Sequence, residues 1–433
     1  MSLSHCNSSY LTLLVVVAMG VIGGSTEAGC SRNNMSCGDC AEGLICLAGA
    51  CRKPCAVDNE CAPGTVCVRG ACEVGDRRPD ADGSGLPPGP GDGVREDGPG
   101  DPAAVQVYRK LVTVNHMQVS AGPILDFPML IAVRDDADLK TTANNGHVSD
   151  PQGQDIFLTA DNGTLLDFEI EQYDGVAGSL FAWVRIASLS SSADSLVWLR
   201  YGEPCPCTSK ANPAGVWGLD NMVVYHLDHD FSDSTIHGRH GVPHGPPAFA
   251  GGPIANSASF DGTSQYIDTM YNDLLAEWTV SSWVRGTEDP NNATDAGPVM
   301  REDNFNIGWH HEYDIYRGTT FFATATDWWH ASFGALLHGT WYNLVGTYDG
   351  ATLVAYKNGL MTESIVVGSP PVSSAASAKI GRHGTAANWF FGGQIDEVRV
   401  ASTARSAAFI QTSYNNQATP STFYSVGAEE KAP

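Results

Sequence analysis

The chain has 433 residues, 42% of them apolar and 17% charged, and a formal net charge of -24. That length suits roughly two or three domains of about 150 residues, and the acidity excludes the Lys/Arg-rich faces that nucleic acids and anionic lipid surfaces require. With 47 glycines and 24 prolines, the chain has the many turns of a short-stranded all-β protein.

The first element is an apolar run, LTLLVVVAMGVIGG at 11–24, too short for a membrane-spanning helix and suited to the centre of an export leader. Thr26 and Ala28 are small residues placed for a cut after Ala28, and residues 1–29 are read as a signal peptide, although MSLSHCNSSY lacks the usual basic residue. Export permits disulfides, and nine of the 12 cysteines fall between Cys30 and Cys72. Within this module, 30–72, CAEGLICLAGAC (40–51) and CAPGTVCVRGAC (61–72) repeat with a period of 21. Cys37, Cys40, Cys46 and Cys51 form one four-cysteine unit, and Cys55, Cys61, Cys67 and Cys72 the other. So short a segment cannot bury a useful core, and disulfides inside each unit are expected to hold it. Zinc is the poorer reading, since no histidine lies between Cys30 and Cys72 and the spacings are irregular. Cys30 is left over directly after the leader, the place of a lipid-modified N-terminal cysteine, with Glu27 where a bacterial lipobox prefers an aliphatic residue. Residues 73–103 are Gly, Pro and acid with almost nothing to bury, an extended solvated linker.

Beyond the linker the texture changes to short strands separated by Gly, Asp, Asn and Ser turns. One set, including LVTVNHMQV, PMLIAVRDD, SLFAWVRIA and SLVWLRYG, occupies 104–212. A second, including NMVVYHLD, WTVSSWVRG, TLVAYKNG and FGGQIDEVRV, occupies 213–427. Asn358-Gly359 signals a two-residue hairpin turn, because both residues tolerate positive φ. One helix is expected at 406–417, SAAFIQTSYNNQ. The fold class is therefore all-β: two β-sandwich domains after a small disulfide-rich duplicated module. Between the strand sets, Cys205 and Cys207 can close a strained C-x-C ring.

The second set resembles a laminin-G-like domain of concanavalin-type jelly-roll fold. The resemblance rests on YHLDHDFSDSTIHGRHG (225–241), ASFDGTSQYID (258–268), WTVSSWVRG (278–286), GTWYNLVGTYDGATLVAYKNG (339–359), KIGRHG (379–384) and FGGQIDEVRV in order. ARSAAFIQTSY then resembles the helix that closes such a domain. The preceding segment, with YRKLVTV (108–114), DIFLTADNGTLLDFEIEQYD (155–174) and WLRYGEP (198–204), resembles the bacterial domain of unknown function 2341. STFYSVGAEE (421–430) resembles the usual ending of proteins with this pairing. The resemblance implies an exported binding module for glycans or cell-surface proteins, secreted or anchored at the cell surface or outer membrane. Its only membrane attachment would be an N-terminal lipid. No reaction is implied.

Four groups of residues could carry chemistry. Glu169 and Glu171 of FEIEQY stand two apart on one strand face, the spacing at which laminarinase-type hydrolases of the concanavalin fold place a nucleophile and an acid/base. A glycoside hydrolase is therefore the alternative to binding, but the third acid of that pattern is missing, and solvated ion pairing is the better reading. A structural or adhesive role for the disulfide module is a further alternative. His226, His229, His237, His240 and His244, mixed with Asp228, Asp230 and Asp233, offer imidazoles to a transition metal such as zinc, but they match no helical metal motif and solvated loop residues are the better reading. Trp309, Trp328, Trp329 and Trp389 are candidates for stacking on sugar rings, and in TDWWHASF alternation sends Trp328 and Trp329 to opposite faces. Lastly, in GGQIDEVRV, Asp396, Val398 and Val400 are expected on one face and Ile395, Glu397 and Arg399 on the other. Glu397 and Arg399 can then pair at the surface, while Asp396 sits at a core rim and needs a partner. Concanavalin-type jelly rolls often hold calcium where first and last strands meet. The resemblance thus implies a structural calcium ion on Asp233, Asp396 and main-chain carbonyls, against backbone N–H groups of the Gly392-Gly393 turn.

Overall fold

A computed structural model describes residues 106–432 apart from 206, 288–295, 302, 313–314, 373–374 and 386–387, together with four short strands in the cysteine module. The chain divides into two compact units, Met1–Glu96 and Asp97–Pro433. In the first, Ile45–Leu47 pairs with Ala50–Arg52 and Thr65–Val68 with Ala71–Val74, so the sequence repeat is a repeat of hairpins. Cys46 stands opposite Cys51, and Cys67 opposite Cys72. The leader, Cys30, Cys37, Cys40, Cys55, Cys61 and residues 75–103 lie outside the described residues, and the first two residues of the span read as a linker, Glu73 and Val74, belong to the last of these strands.

The second unit holds two β-sandwiches. In the first, one sheet runs Tyr424–Val426, Tyr108–Val114, Ser195–Tyr201, Phe157–Ala160, with Glu430–Lys431 also on Tyr108–Val114; the other runs Ile124–Val133, Ser179–Leu189, Phe168–Asp174. Alternation builds it: in YRKLVTV every second residue from Lys110 on is buried, as a half-buried strand requires. The chain's last strands thus belong to the first sandwich, with Phe423 and Tyr424 in its core and the Tyr424 hydroxyl 2.6 Å from the Ala132 N–H. The span drawn for the second sandwich, to 427, overruns into this returning segment. Cys205 and Cys207 are disulfide-bonded.

The second sandwich faces an eight-stranded sheet against a seven-stranded one. Gly392–Ala401 lies centrally in the larger sheet, bonded to Asn221–Tyr225, Asn256–Asp261 and Trp278–Gly286. The core between the sheets includes Trp278, Trp309, Phe305, Phe322 and Tyr348. Asn358 (φ 52°) and Gly359 (φ 78°) make the expected two-residue turn between Lys357 and Leu360. The expected helix is Ala407–Ala418, capped by the Ser406 hydroxyl, which accepts from the Phe409 N–H. It bridges the sandwiches: Asn416 bonds both the N–H and C=O of Leu130, and Gln417 accepts from the Trp283 indole at 2.7 Å. A separate apolar cluster of Leu130, Phe181, Trp183, Val216, Trp217, Val224 and Ile254 fills the junction.

Candidate functional site

Two β-bulges meet at this junction. In the 168–174 strand, Ile170 pairs with Ala182 but Gln172 with Phe181, which leaves Glu171 as an extra residue. In the 392–401 strand, Asp396 pairs with Trp283 and Arg399 with Ser281, so an extra residue is accommodated there as well. Glu397 takes it up with φ 53°, a conformation that costs a non-glycine residue free energy and is held only by its surroundings. The strict alternation expected for IDEVRV fails here. Ile395, Val398 and Val400 all enter the core between the sheets. Asp396 does not share a face with those valines, because the inserted residue shifts the phase of the pleat.

The two bulges hold carboxylates around one histidine. His226, just beyond the 221–225 strand, has Nδ1 2.7 Å from Glu397 Oε1 and 3.5 Å from Glu171 Oε2, and Nε2 3.3 Å from Glu169 Oε2. Its ring lies 5.9 Å from that of Trp183 and 5.6 Å from that of Trp217. Those indoles donate to the same acids, Trp183 to Glu171 and Trp217 to Glu169, each at 2.7 Å. Ser234 donates to the other Glu169 oxygen at 2.5 Å. Arg399 pairs with Glu397 and stacks on both indoles, 4.2 and 4.5 Å from the ring centres. The expected Glu397–Arg399 pair forms, but it is buried rather than at the surface, with the Glu397 side chain 1% exposed. A cleft of about 180 Å³, lined by Glu169, Glu171, His226, Asp228, Asp230 and Ser234 among others, reaches this cluster.

Burial and neighbours sort the charges. Burial pushes the Glu171 carboxyl up to about 8, against the nearby His226 and with the help of Glu397. Burial likewise sets Asp396 well above the usual range, with Glu397 and Glu171 adding to it. Burial would raise Glu397 too, but His226 and Arg399 outweigh it and lower its carboxyl. For Glu169, burial is outweighed by His226, Ser234 and Trp217. His226, which burial alone would neutralise, is raised well above its ordinary value by Glu397, Glu169 and Glu171. At neutral pH two carboxylates then face two cations, a balance that makes a buried ionic cluster tolerable.

The other sequence candidates are placed as follows. Trp309 is fully buried in the core. Trp329 is half-buried against that core, whereas Trp328 is 45% exposed on the opposite face of the same edge strand. Trp328 and His330 flank Phe321, with ring centres 5.9 and 5.2 Å away. Trp389 is half-buried, edge-on to His383, in the loop after Lys379–Ile380. Three strands separate Lys379–Ile380 from the Trp328 strand, a span of about 19 Å at sheet spacing, so the two do not form one platform. Asp233 and Asp396 have separate partners. Asp233 accepts from the N–H groups of Val224, Thr235 and Arg239 and from the Thr235 hydroxyl. Asp396 accepts from the Ile254 N–H at 3.3 Å rather than from the Gly392-Gly393 turn. His226 alone of the five histidines enters the cluster; among its companions, Trp183 and Trp217 carry no signal in the sequence, and Glu397 and Arg399 were expected only as a surface pair.

Residues 261–411 match the laminin-G family model described as the concanavalin A-like lectin/glucanases superfamily. No curated protein matches the chain. Among solved structures, the chain is similar to domain 4 of AbnA, a GH43 extracellular arabinanase from Geobacillus stearothermophilus, in complex with arabinotriose: 22% identity, 44% of this chain, 97% of that chain, TM-score 0.36. It is also similar to the binding domain of Paraclostridial Mosquitocidal Protein 1, at 10% identity over 45% of this chain and 52% of that one, TM-score 0.38. For the botulinum neurotoxin serotype D binding domain the figures are 11%, 46%, 51% and 0.36. The chain spans about half the length of these last two structures.

Proposed function

We propose that this is an exported, non-catalytic binding protein whose second sandwich recognises a glycan or a cell-surface protein. The observation that carries the reading is the solvent-facing pair of Trp328 and His330 at the sheet edge, both packed against the buried Phe321 ring, within the span that matches a lectin/glucanase superfamily. Sugar rings stack on such aromatic planes, and neighbouring polar groups select among hydroxyls. The leader, the N-terminal attachment at Cys30 and the kinship of the first sandwich to the domain of unknown function 2341 belong to the same proposal. Catalysis by Glu169 and Glu171 is disfavoured by access. The Glu171 side chain is 1% exposed, and both Glu169 oxygens are held by Ser234, Trp217 and His226. A general acid must reach the leaving-group oxygen.

A glycan array probed with the full chain and with Trp328→Ala tests the reading. A hit that Trp328→Ala abolishes supports the glycan assignment, and pull-down of a surface protein lost in the same variant supports the protein one. Binding equal in both forms would remove Trp328 from the site. Sugar release by the purified protein, lost in Glu169→Gln, would promote the hydrolase.

A further inference from the structure

Glu171 comes from the first sandwich, and His226 and Glu397 from the second. Glu171, His226 and Glu397 each offer a ligand atom, all within 4.8 Å of one another and all buried. Two features set this apart from an ordinary acidic cluster. Glu171 Oε1 is buried with no hydrogen-bond partner among the described residues, a costly state for a polar oxygen. And the groups around the three are arranged as outer ligands of a metal usually are: the second ring nitrogen of His226 faces Glu169, Trp183 donates to Glu171, and Arg399 holds the other oxygen of Glu397. A metal-bound histidine characteristically gives its free ring N–H to a carboxylate, which fixes the ring and strengthens the ligand.

We propose that Glu171, His226 Nδ1 and Glu397 Oε1 bind one divalent transition cation of the Zn²⁺ type, which ties the two sandwiches together. The two carboxylates offset its charge, and Arg399 offsets Glu169. An imidazole nitrogen with two carboxylates suits zinc, whereas calcium takes six to eight oxygens. The 2.7 Å between Glu397 and His226 is a hydrogen-bond distance. Tetrahedral ligands about 2.1 Å from zinc stand about 3.4 Å apart, so the Glu397 carboxylate backs off by under one ångström as the ion replaces the proton between them. The cleft that touches Glu171 and His226 is the entry path.

The test uses the full chain, stripped with chelator and titrated with Zn²⁺ and then Co²⁺, beside Glu171→Gln. Glutamine keeps an acceptor for the Trp183 indole but removes an anionic ligand. We expect one zinc per wild-type chain, a rise in melting temperature, and binding at least ~10-fold weaker in Glu171→Gln. Cobalt should give visible d–d bands without the charge-transfer band of thiolate ligation, which separates this site from the N-terminal cysteines. If Glu171→Gln does not fold, Glu397→Gln takes its place. Failure of wild type to take up zinc, equal uptake in the variant, thiolate bands alone, or the same stabilisation by Ca²⁺ would overturn the proposal.

Discussion

Arg399→Met isolates the cation that holds the junction. Arg399 is 9% exposed, lies over Trp183 and Trp217, and bonds Glu397 through Nε at 3.2 Å and through a terminal nitrogen. Methionine keeps most of the stem volume, so the change removes charge and hydrogen bonds while leaving little cavity. Glu397 would then have only His226 as a cation. Breaking a buried pair from one side costs about 3–5 kcal/mol, because the remaining charge is stranded in a medium that solvates it poorly. Adding Glu397→Gln should restore much of that loss, since the stranded charge disappears, and the coupling between the two changes should be about 1–3 kcal/mol. Urea unfolding of the full chain in chelator, with Trp fluorescence as the probe, measures all four corners of the cycle. A loss below about 1 kcal/mol for Arg399→Met, or strictly additive changes, would refute the account of a charge-balanced cluster.

Removing the residues after Thr419 takes Phe423, Tyr424 and the strand paired with Tyr108–Val114 from the first sandwich. Hydrogen exchange should speed up in 108–114 first, and Phe423→Ala alone should cost about 3–5 kcal/mol; unchanged protection would detach the C-terminus from that fold. Trp309→Ala should lower the melting temperature sharply, as loss of a buried tryptophan costs about 3–5 kcal/mol, while Trp328→Ala should stay within about 0.5 kcal/mol. The reverse order would exchange their roles. Burial would raise the Asp268 carboxyl, but hydrogen bonds from Lys379 and Ser377 outweigh it and hold it below the ordinary 3.8. Its stabilising contribution is therefore present above that value and lost as pH falls through the lower folded one. Asp268→Asn should show a smaller stability loss than wild type on acidification below about pH 4, and parallel curves would count against the pair.

Much of the fold was legible because period-two alternation, turn residues and caps act locally. Asn358-Gly359 gave its turn from intrinsic φ preferences alone, and the helix expected at 406–417 starts where the Ser406 hydroxyl caps it, a local bond that needs no tertiary partner. The opposite fates of Trp328 and Trp329 followed from the pleat. What local pattern does not carry is a return across some 300 residues: STFYSV reads as a tail, and only the vacant edge of Tyr108–Val114 turns it into a strand. Trp309 could not be separated from Trp328 for a similar reason, since both sit in alternating strands and the packed face is decided by the opposing sheet.

The junction was misread because both acidic segments break the rule used to read them. In FEIEQY and IDEVRV an inserted residue lets neighbouring polar side chains leave on the same side, so Glu171 and Gln172 both point away from the first core, and Asp396 and Glu397 away from the second. Strict alternation would instead have sent one of each pair into an apolar core. Bulging is the lower-energy solution only because the opposing surface supplies partners: Trp183 for Glu171, His226 and Arg399 for Glu397. Each bulge thus depends on residues from elsewhere in the chain. Adjacent polar residues at the centre of an otherwise apolar strand are a legible sign of such a bulge. The identity of the histidine between them is not, because His226 lies 55 residues from Glu171 and 171 from Glu397 and meets them only once both sandwiches have formed.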